Sequence, residues 1–314
     1  MKNITFHNFF SKNPNFGKKV VISIPFIWLI LFFAIPFLIM IRISVTDMGE
    51  HLNPFAEIIS LRNNQISFNI KVENFISIFR EDGSTWGKTI YLEAYLLSLK
   101  YAFYTTLITL IIGYPFAYFL ARSNMRLRPI LLLMVMLPFW TSFLLRVYAW
   151  KGILADQGVL NNLMISLGII NEPLQILYTD VSMLIGMSYV YLPFMILPLY
   201  ANLVKMDLNL IEASKDLGAS AWKTFWLITV PLSKSGIIAG IMLVFIPCVG
   251  EFVIPSLLGG AENIMIGRVV WDEMFSSNNW PRASALSIVI IVVVIFPLAW
   301  YNQRTTQSFN QENT

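Results

Sequence analysis

Two histidines and one cysteine are all that 314 residues supply of the side chains that most readily bind metals or attack carbonyls. The lone thiol, Cys248, excludes an intramolecular disulfide and leaves the redox compartment open. His7 and His51 lie outside the apolar runs and far apart, and no HExxH, GxSxG or CxxC pattern occurs. An intramembrane metalloprotease therefore lacks its ligands, and other enzyme classes lack a nucleophile–base pair. The phosphate loop G-x-x-x-x-G-K-[ST] is also missing. Charge is scarce as well, at 13% of residues against 56% hydrophobic. A soluble chain with so little charge could not cover its own surface.

What fills the sequence is long apolar runs, with a mean hydropathy of +0.65. Crossing hydrocarbon takes about 20 residues at ~1.5 Å rise each. Six runs qualify, roughly 20–41, 96–120, 130–150, 181–203, 236–258 and 284–303, which predicts an all-α membrane protein with six transmembrane helices. Lys12, Lys18 and Lys19 before the first run imitate a signal peptide. That run, Val20–Ile41, is too long for an h-region and has no convincing small-residue cleavage site, so it is expected to persist as the first span. "VLNNLMISLGII" is too short and interrupted to span and is expected to form an interfacial helix.

The net charge of +4 fits the positive-inside rule and needs no nucleic acid to explain it. The short loop "ARSNMRLRP" carries Arg122, Arg126 and Arg128, whereas 151–180 has only Lys151 and 259–283 only Arg268 and Arg282. Both termini are then expected on the basic, cytoplasmic side, with a polar insert at 204–235 that carries Lys205, Lys215, Lys223 and Lys234. The long loop 42–95, with seven acids against five bases, faces outward. The expected domains are a cytoplasmic tail at 1–19, a transmembrane domain at 20–303 and a second cytoplasmic tail at 304–314. Nine prolines fall inside the runs: Pro25, Pro36, Pro115, Pro138, Pro193, Pro198, Pro247, Pro255 and Pro297. Each frees a carbonyl that a neighbouring helix or a watery cavity must satisfy, which suits a transporter or channel better than a plain anchor.

The insert reads "EASKDLGASAWKTFWLITVPL" over Glu212–Leu232. Asn209 and Glu212 have capping-box spacing, so a first helix is expected from Asn209 to Leu217, stopped by Gly218. Ser220 is placed to cap a second helix, "AWKTFWLITV", ended by Pro231. Ala213, Ser214 and Ala219 are small enough for another surface to approach, and Trp222, Phe225 and Trp226 form an apolar stripe. On these residues alone the segment is either a docking device or an ordinary helical hairpin at the interface.

"EASKDLG", followed ten residues after its glycine by "ITVP", resembles the EAA signature of ABC-importer permeases: Glu-Ala-Ala, three variable residues, Gly, then Ile-x-Leu-Pro. Glu212, Ala213, Gly218, Ile228 and Pro231 match, while Ser214 stands for the second Ala and Val230 for the Leu. "LPFWTSFLLRVYAWKGILADQGVLNN" and "IPCVGEFVIPSLLGGAENIMIGRVVWDEMFSSNNWPRASA" are similar to the polyamine-importer branch, with a layout like the putrescine-type permeases over roughly 20–303.

The resemblance implies a type I ABC-importer permease fold with a cytoplasmic coupling helix, in a bacterial inner membrane. Glu212, Ala213, Ser214, Gly218, Ile228 and Pro231 would couple to the ATPase. It also implies no catalytic residue and no cofactor on this chain, ATP and Mg being bound by a separate ABC ATPase dimer. A second permease subunit and a periplasmic polyamine-binding protein complete the implied assembly.

Charges inside the runs are the remaining signal, since each costs about 2.5–3.5 kcal/mol at mid-bilayer. Glu251 lies in "FIPCVGEFVIP" between Pro247, Gly250 and Pro255, where the fifth span is expected to be irregular. A passing diamine would need such a carboxylate, so Glu251 is a candidate for the substrate pathway. A structural ion pair, for example with Arg146, is the alternative. Arg146 and Lys100 sit near outer ends, where snorkelling accounts for them. Trp271, Asp272 and Glu273 of "VVWDEMF", like Tyr178 and Asp180, are placed outside the membrane. They either receive substrate from a docked binding protein or are solvated surface. Spermidine, another cationic solute or iron remain alternative cargoes, and a membrane receptor or scaffold is the alternative from a different class.

Overall fold

The computed structural model describes residues 14–49, 54–56, 59–62, 65–68, 70–80 and 89–312. His7, His51, the first thirteen residues of the 1–19 tail and the last two of the 304–314 tail lie outside them. The chain forms two compact units, Met1–Ile78 with Glu273–Thr314, and Phe79–Asp272.

In the first unit α1 (Pro14–Leu29) continues through a wide turn, Ile30–Ala34, into α2 (Ile35–Ser44). Pro36 has no N–H to offer the carbonyl four residues back. The ladder widens just before it, with the Ile35 N–H bonded to the Ile30 carbonyl, and so admits the ring without a sharp break. Val21–Ser44 is apolar on every side and long enough to cross a membrane. Beyond it a small antiparallel hairpin, β1 (Ile59–Arg62) and β2 (Gln65–Phe68), pairs Ile59 with Phe68 and Arg62 with Gln65. This strand pair departs from the purely helical expectation. The Asn74 amide, in α3 (Glu73–Phe79), donates to the carbonyls of Ser44 (3.0 Å) and Thr46 (2.8 Å), which clamps the end of α2. Lys71 lies 2.6 Å from Asp47 and holds that carboxyl below its ordinary range, but both are half exposed, so the pair adds little stability. α15 (Trp280–Glu312) packs along α2.

The second unit is built on three long helices. α4 (Ile90–Arg122) starts at Thr89, whose hydroxyl accepts the Leu92 N–H, and its 33 residues make it about 50 Å long. After α5 (Arg128–Met136), α6 (Phe143–Leu154) and α7 (Val159–Ser166) comes α8 (Asp180–Leu203), which opens on a capping box between Thr179 and Ser182. α12 (Lys234–Val249) packs against both α4 and α8, burying Met187, Met195, Leu199 and Val244. Lipid offers no hydrophobic drive for helix association, so close van der Waals approach must do the work. Gly236 provides it: a Cβ there would sit 2.7 Å from the Asn202 Cβ and 3.1 Å from the Pro198 carbonyl of α8.

Among the described residues three helices are long and apolar enough to cross a membrane, Val21–Ser44, Ile90–Arg122 and Asp180–Leu203. The expected third span, 130–150, is not one rod. Arg128–Trp140, which tightens over Leu137–Trp140, meets Phe143–Ser166 at 88° across an extended Thr141. The expected fifth span breaks as well, at Gly250–Phe252, before α13 (Val253–Leu258). α7 matches the short helix expected in "VLNNLMISLGII".

Candidate functional site

The insert forms two helical legs joined by a left-handed residue. α9 (Asn209–Asp216) ends in a Schellman turn: Gly218 has φ +80°, its N–H bonds to the Lys215 carbonyl (2.8 Å), and the Ala219 N–H reaches the Ser214 carbonyl (3.0 Å). The expected glycine stop is present. The expected cap is not. α9 begins at Asn209 itself because Leu208 is already helical (φ −71°, ψ −27°). Asp207, not Asn209, supplies the accepting oxygen, 3.0 Å from the Asn209 N–H, and Glu212 is exposed.

The second leg starts as expected, with the Ser220 hydroxyl accepting the Lys223 N–H at the head of α10 (Ala221–Thr224). Pro231, however, does not end it. A wide turn at Phe225–Thr229 absorbs the missing N–H, α11 (Val230–Leu232) carries the helix past the proline, and the chain bends by 66° between this leg and α12. Ile228 sits half-buried in that wide turn, while Pro231 is exposed.

The legs brace each other, and one braces the bundle. Ser214, the departure from the EAA pattern, is buried and shares a 2.8 Å hydrogen bond with Thr224. Phe225 sets its ring edge-on to Tyr114 (5.5 Å) and Tyr118 (6.1 Å) of α4, and the Tyr114 hydroxyl lies 2.8 Å from that of Ser233. The supposed apolar stripe is therefore split: Phe225 faces the bundle, whereas Trp222 and Leu217 are 71% and 89% exposed. The signal for this division was the pair of tyrosines one turn apart around Pro115. Their link to Phe225, more than a hundred residues away, is not visible in sequence.

At the other break, Glu251 is only 9% exposed. One carboxylate oxygen accepts the backbone N–H groups of Phe252 (3.1 Å), Val253 (3.0 Å) and Ile254 (3.4 Å), at the head of α13. The other accepts the Tyr191 hydroxyl at 2.6 Å. Among the described residues no cation pairs with this carboxyl group. The ion pair with Arg146 does not form. That guanidinium instead lies over the rings of Phe139 (4.8 Å) and Phe143 (5.9 Å).

Trp271, at the end of α14 (Ile266–Trp271), stacks at 4.8 Å on Phe252, the residue after Glu251. Asp272 faces Arg268 at 3.7 Å, half exposed. Glu273 belongs to the other unit, where its carbonyl accepts the Asn279 N–H. Asp180 accepts the Asn263 amide (2.7 Å), and Asn263 in turn accepts the Tyr101 hydroxyl (2.8 Å), which ties the loop before α14 to α4 and α8. Among the described residues no group of three or more His, Cys, Asp or Glu is gathered as for a metal ion.

The fold is that of a chain in the crystal structure of a bacterial ABC transporter that imports the acidic polysaccharide alginate, with a TM-score of 0.61 over 96% of this chain and 98% of that one, at 16% identity.

Residues 110–303 match the family described as binding-protein-dependent transport system inner membrane component, and the chain belongs to it. It is 38% identical to the spermidine/putrescine transport system permease protein PotB of Haemophilus influenzae, over 89% of this chain and 92% of that protein. It is 42% identical to the protein of the same name from Escherichia coli, over 68% of this chain and 77% of that one. The chain is thus a multi-pass inner-membrane transport subunit and not an enzyme.

Proposed function

We propose that the chain forms half of the pore of an ATP-driven polyamine importer, with putrescine as its main cargo. It would cross the membrane six times, each bent pair counting as one crossing, with both termini cytoplasmic. A second permease, an ABC ATPase dimer and a periplasmic polyamine-binding protein would complete the system. The observation that carries this reading is the α9–α10 hairpin: exposed Leu217 and Trp222 offer a partner an apolar face, and Phe225 sets the second leg against Tyr114 of α4. ATP binding would close the ATPases and draw the hairpins inward, turning the pore from inward- to outward-facing. Glu212, Ala213, Ser214, Gly218, Ile228 and Pro231 form or shape the docking element. Glu251, followed by the stacked Phe252 and Trp271, gives the broken fifth span a carboxyl group and an aromatic face, which suit an extended dication. Asp272 and Glu273 would meet the cargo or its binding protein outside.

ATP-dependent uptake of labelled putrescine and spermidine by the reconstituted complex tests the reading. Putrescine is expected to be taken up faster. A preference for spermidine would overturn the cargo assignment, and uptake against a gradient by this chain alone would overturn the mechanism.

Phe225→Ala separates docking from transmission. Leu217 is untouched and Trp222, though it loses its stacking on Phe225, keeps its contact with Trp226 (5.7 Å), so the ATPase is expected to stay bound and to hydrolyse ATP, while cargo moved per ATP falls several-fold. An unchanged ratio of transport to hydrolysis would remove Phe225 from the path of force.

A further inference from the structure

The face of the second unit around the α4–α5 turn carries a feature separate from the hairpin and from the break at Glu251. An apolar cavity of about 300 Å³ opens between α4, α5 and α8, lined by Phe116, Phe119, Leu131, Met134, Val135 and Leu192 among others. Directly beyond its lining residues on α4 and α5 stand Arg122, the last residue of α4, and Arg128, the first of α5, with Arg126 between them. No Asp or Glu occurs between Glu93 and Asp156. Among the described residues no carboxylate pairs with any of the three arginines. Arg128 donates through Nε to the Ser123 carbonyl (2.9 Å), and Arg122 lies over the Tyr118 ring (5.3 Å) with its Nη2 shielded from solvent and lacking any hydrogen-bond acceptor. Between the arginines, Met125 and Leu127 are 80% and 53% exposed, as expected of side chains at the boundary of headgroups and acyl chains.

We propose that this is a binding site for an anionic phospholipid of the leaflet on the basic-loop side. Its phosphate would sit on Arg122 and Arg128 and one acyl chain in the cavity below. A guanidinium fork suits phosphate geometry, and among the described residues no carboxylate competes for these arginines. The lining is apolar apart from Tyr189 and suits a hydrocarbon chain. A second permease is the less fitting occupant, because its own loops on this face would carry the same sign of charge under the positive-inside rule.

The test uses the complete complex, purified in mild detergent and exchanged into mixed phosphatidylglycerol and phosphatidylethanolamine of matched chains. Native mass spectrometry then counts retained lipid, and size-exclusion chromatography monitors assembly. The intact complex is expected to retain phosphatidylglycerol preferentially. Arg122→Gln with Arg128→Gln should weaken that retention about thirtyfold, the sum of two basic contacts at a lipid surface. Val135→Trp, which fills the cavity and leaves every charge in place, should also abolish it.

Three outcomes would overturn the proposal. One is equal loss of both lipids in the arginine variant. Another is arginine-dependent binding of inorganic phosphate that Val135→Trp leaves untouched, which would mark a free-phosphate site. The third is cross-linking that seats the second permease on Phe119 and Met134.

Discussion

Gly218→Asp is expected to strip the ATPase from the assembled complex and to abolish uptake, while the permease remains folded in the membrane. The residue sits at φ +80°, a conformation that costs most L-residues about 1–2 kcal/mol and Asp or Asn less. No atom lies within 4 Å of where its Cβ would be, so the permease itself does not resist the side chain. The new carboxylate points instead into the space a docked partner must fill, next to exposed Leu217 and alongside Glu212 and Asp216. Co-purified ATPase should fall at least about tenfold, which takes only ~1.4 kcal/mol of lost contact. Gly218→Asn keeps the left-handed turn without the charge and should retain more ATPase than the Asp variant. Equal co-purification of wild type and Gly218→Asp would remove the hairpin from the coupling path.

What could be read from the sequence followed local chemistry. The apolar runs placed the long helices, and Gly218 and Ser220 declared their roles because a helix stop and a helix start each need one particular residue type. Pro247, Gly250 and Pro255 gave away the broken fifth span. Competition between neighbours defeated the cap: Asp207 and Asn209 are both competent, and the backbone of Leu208, which no pattern encodes, decides for Asp207. Hydropathy averages over the Thr141–Ser142 break because apolar residues continue on both sides, so an 88° bend reads as one span. Pro231 misled for a related reason. A proline ends a helix only when the ladder cannot widen ahead of it, and before both Pro36 and Pro231 it does. The surroundings of Glu251 were hidden altogether, since Tyr191 lies sixty residues earlier and the three N–H groups appear only once the chain has turned at Gly250.

That environment makes Glu251 a double case, and two substitutions separate its roles. In Glu251→Gln the amide oxygen can still accept the N–H groups heading α13, and the amide nitrogen can donate to the Tyr191 hydroxyl, which accepts as readily as it donates. The half-helix should therefore stand, and the complex should assemble. Only the charge is gone. If a cationic cargo passes this carboxylate, the loss is large: two unit charges 4 Å apart at an effective dielectric near 20 attract by about 4 kcal/mol, and a tenfold change in rate needs only ~1.4 kcal/mol. Putrescine uptake by the Gln variant should then drop at least about tenfold with ATPase association intact. Glu251→Ala removes the acceptor too, and each buried donor left bare costs about 1–3 kcal/mol. That variant should lose the first turn of α13 and fail to assemble. Normal uptake by the Gln variant together with failed assembly of the Ala variant would reduce Glu251 to a helix cap. The cation pathway would then have to be sought along other walls of the pore.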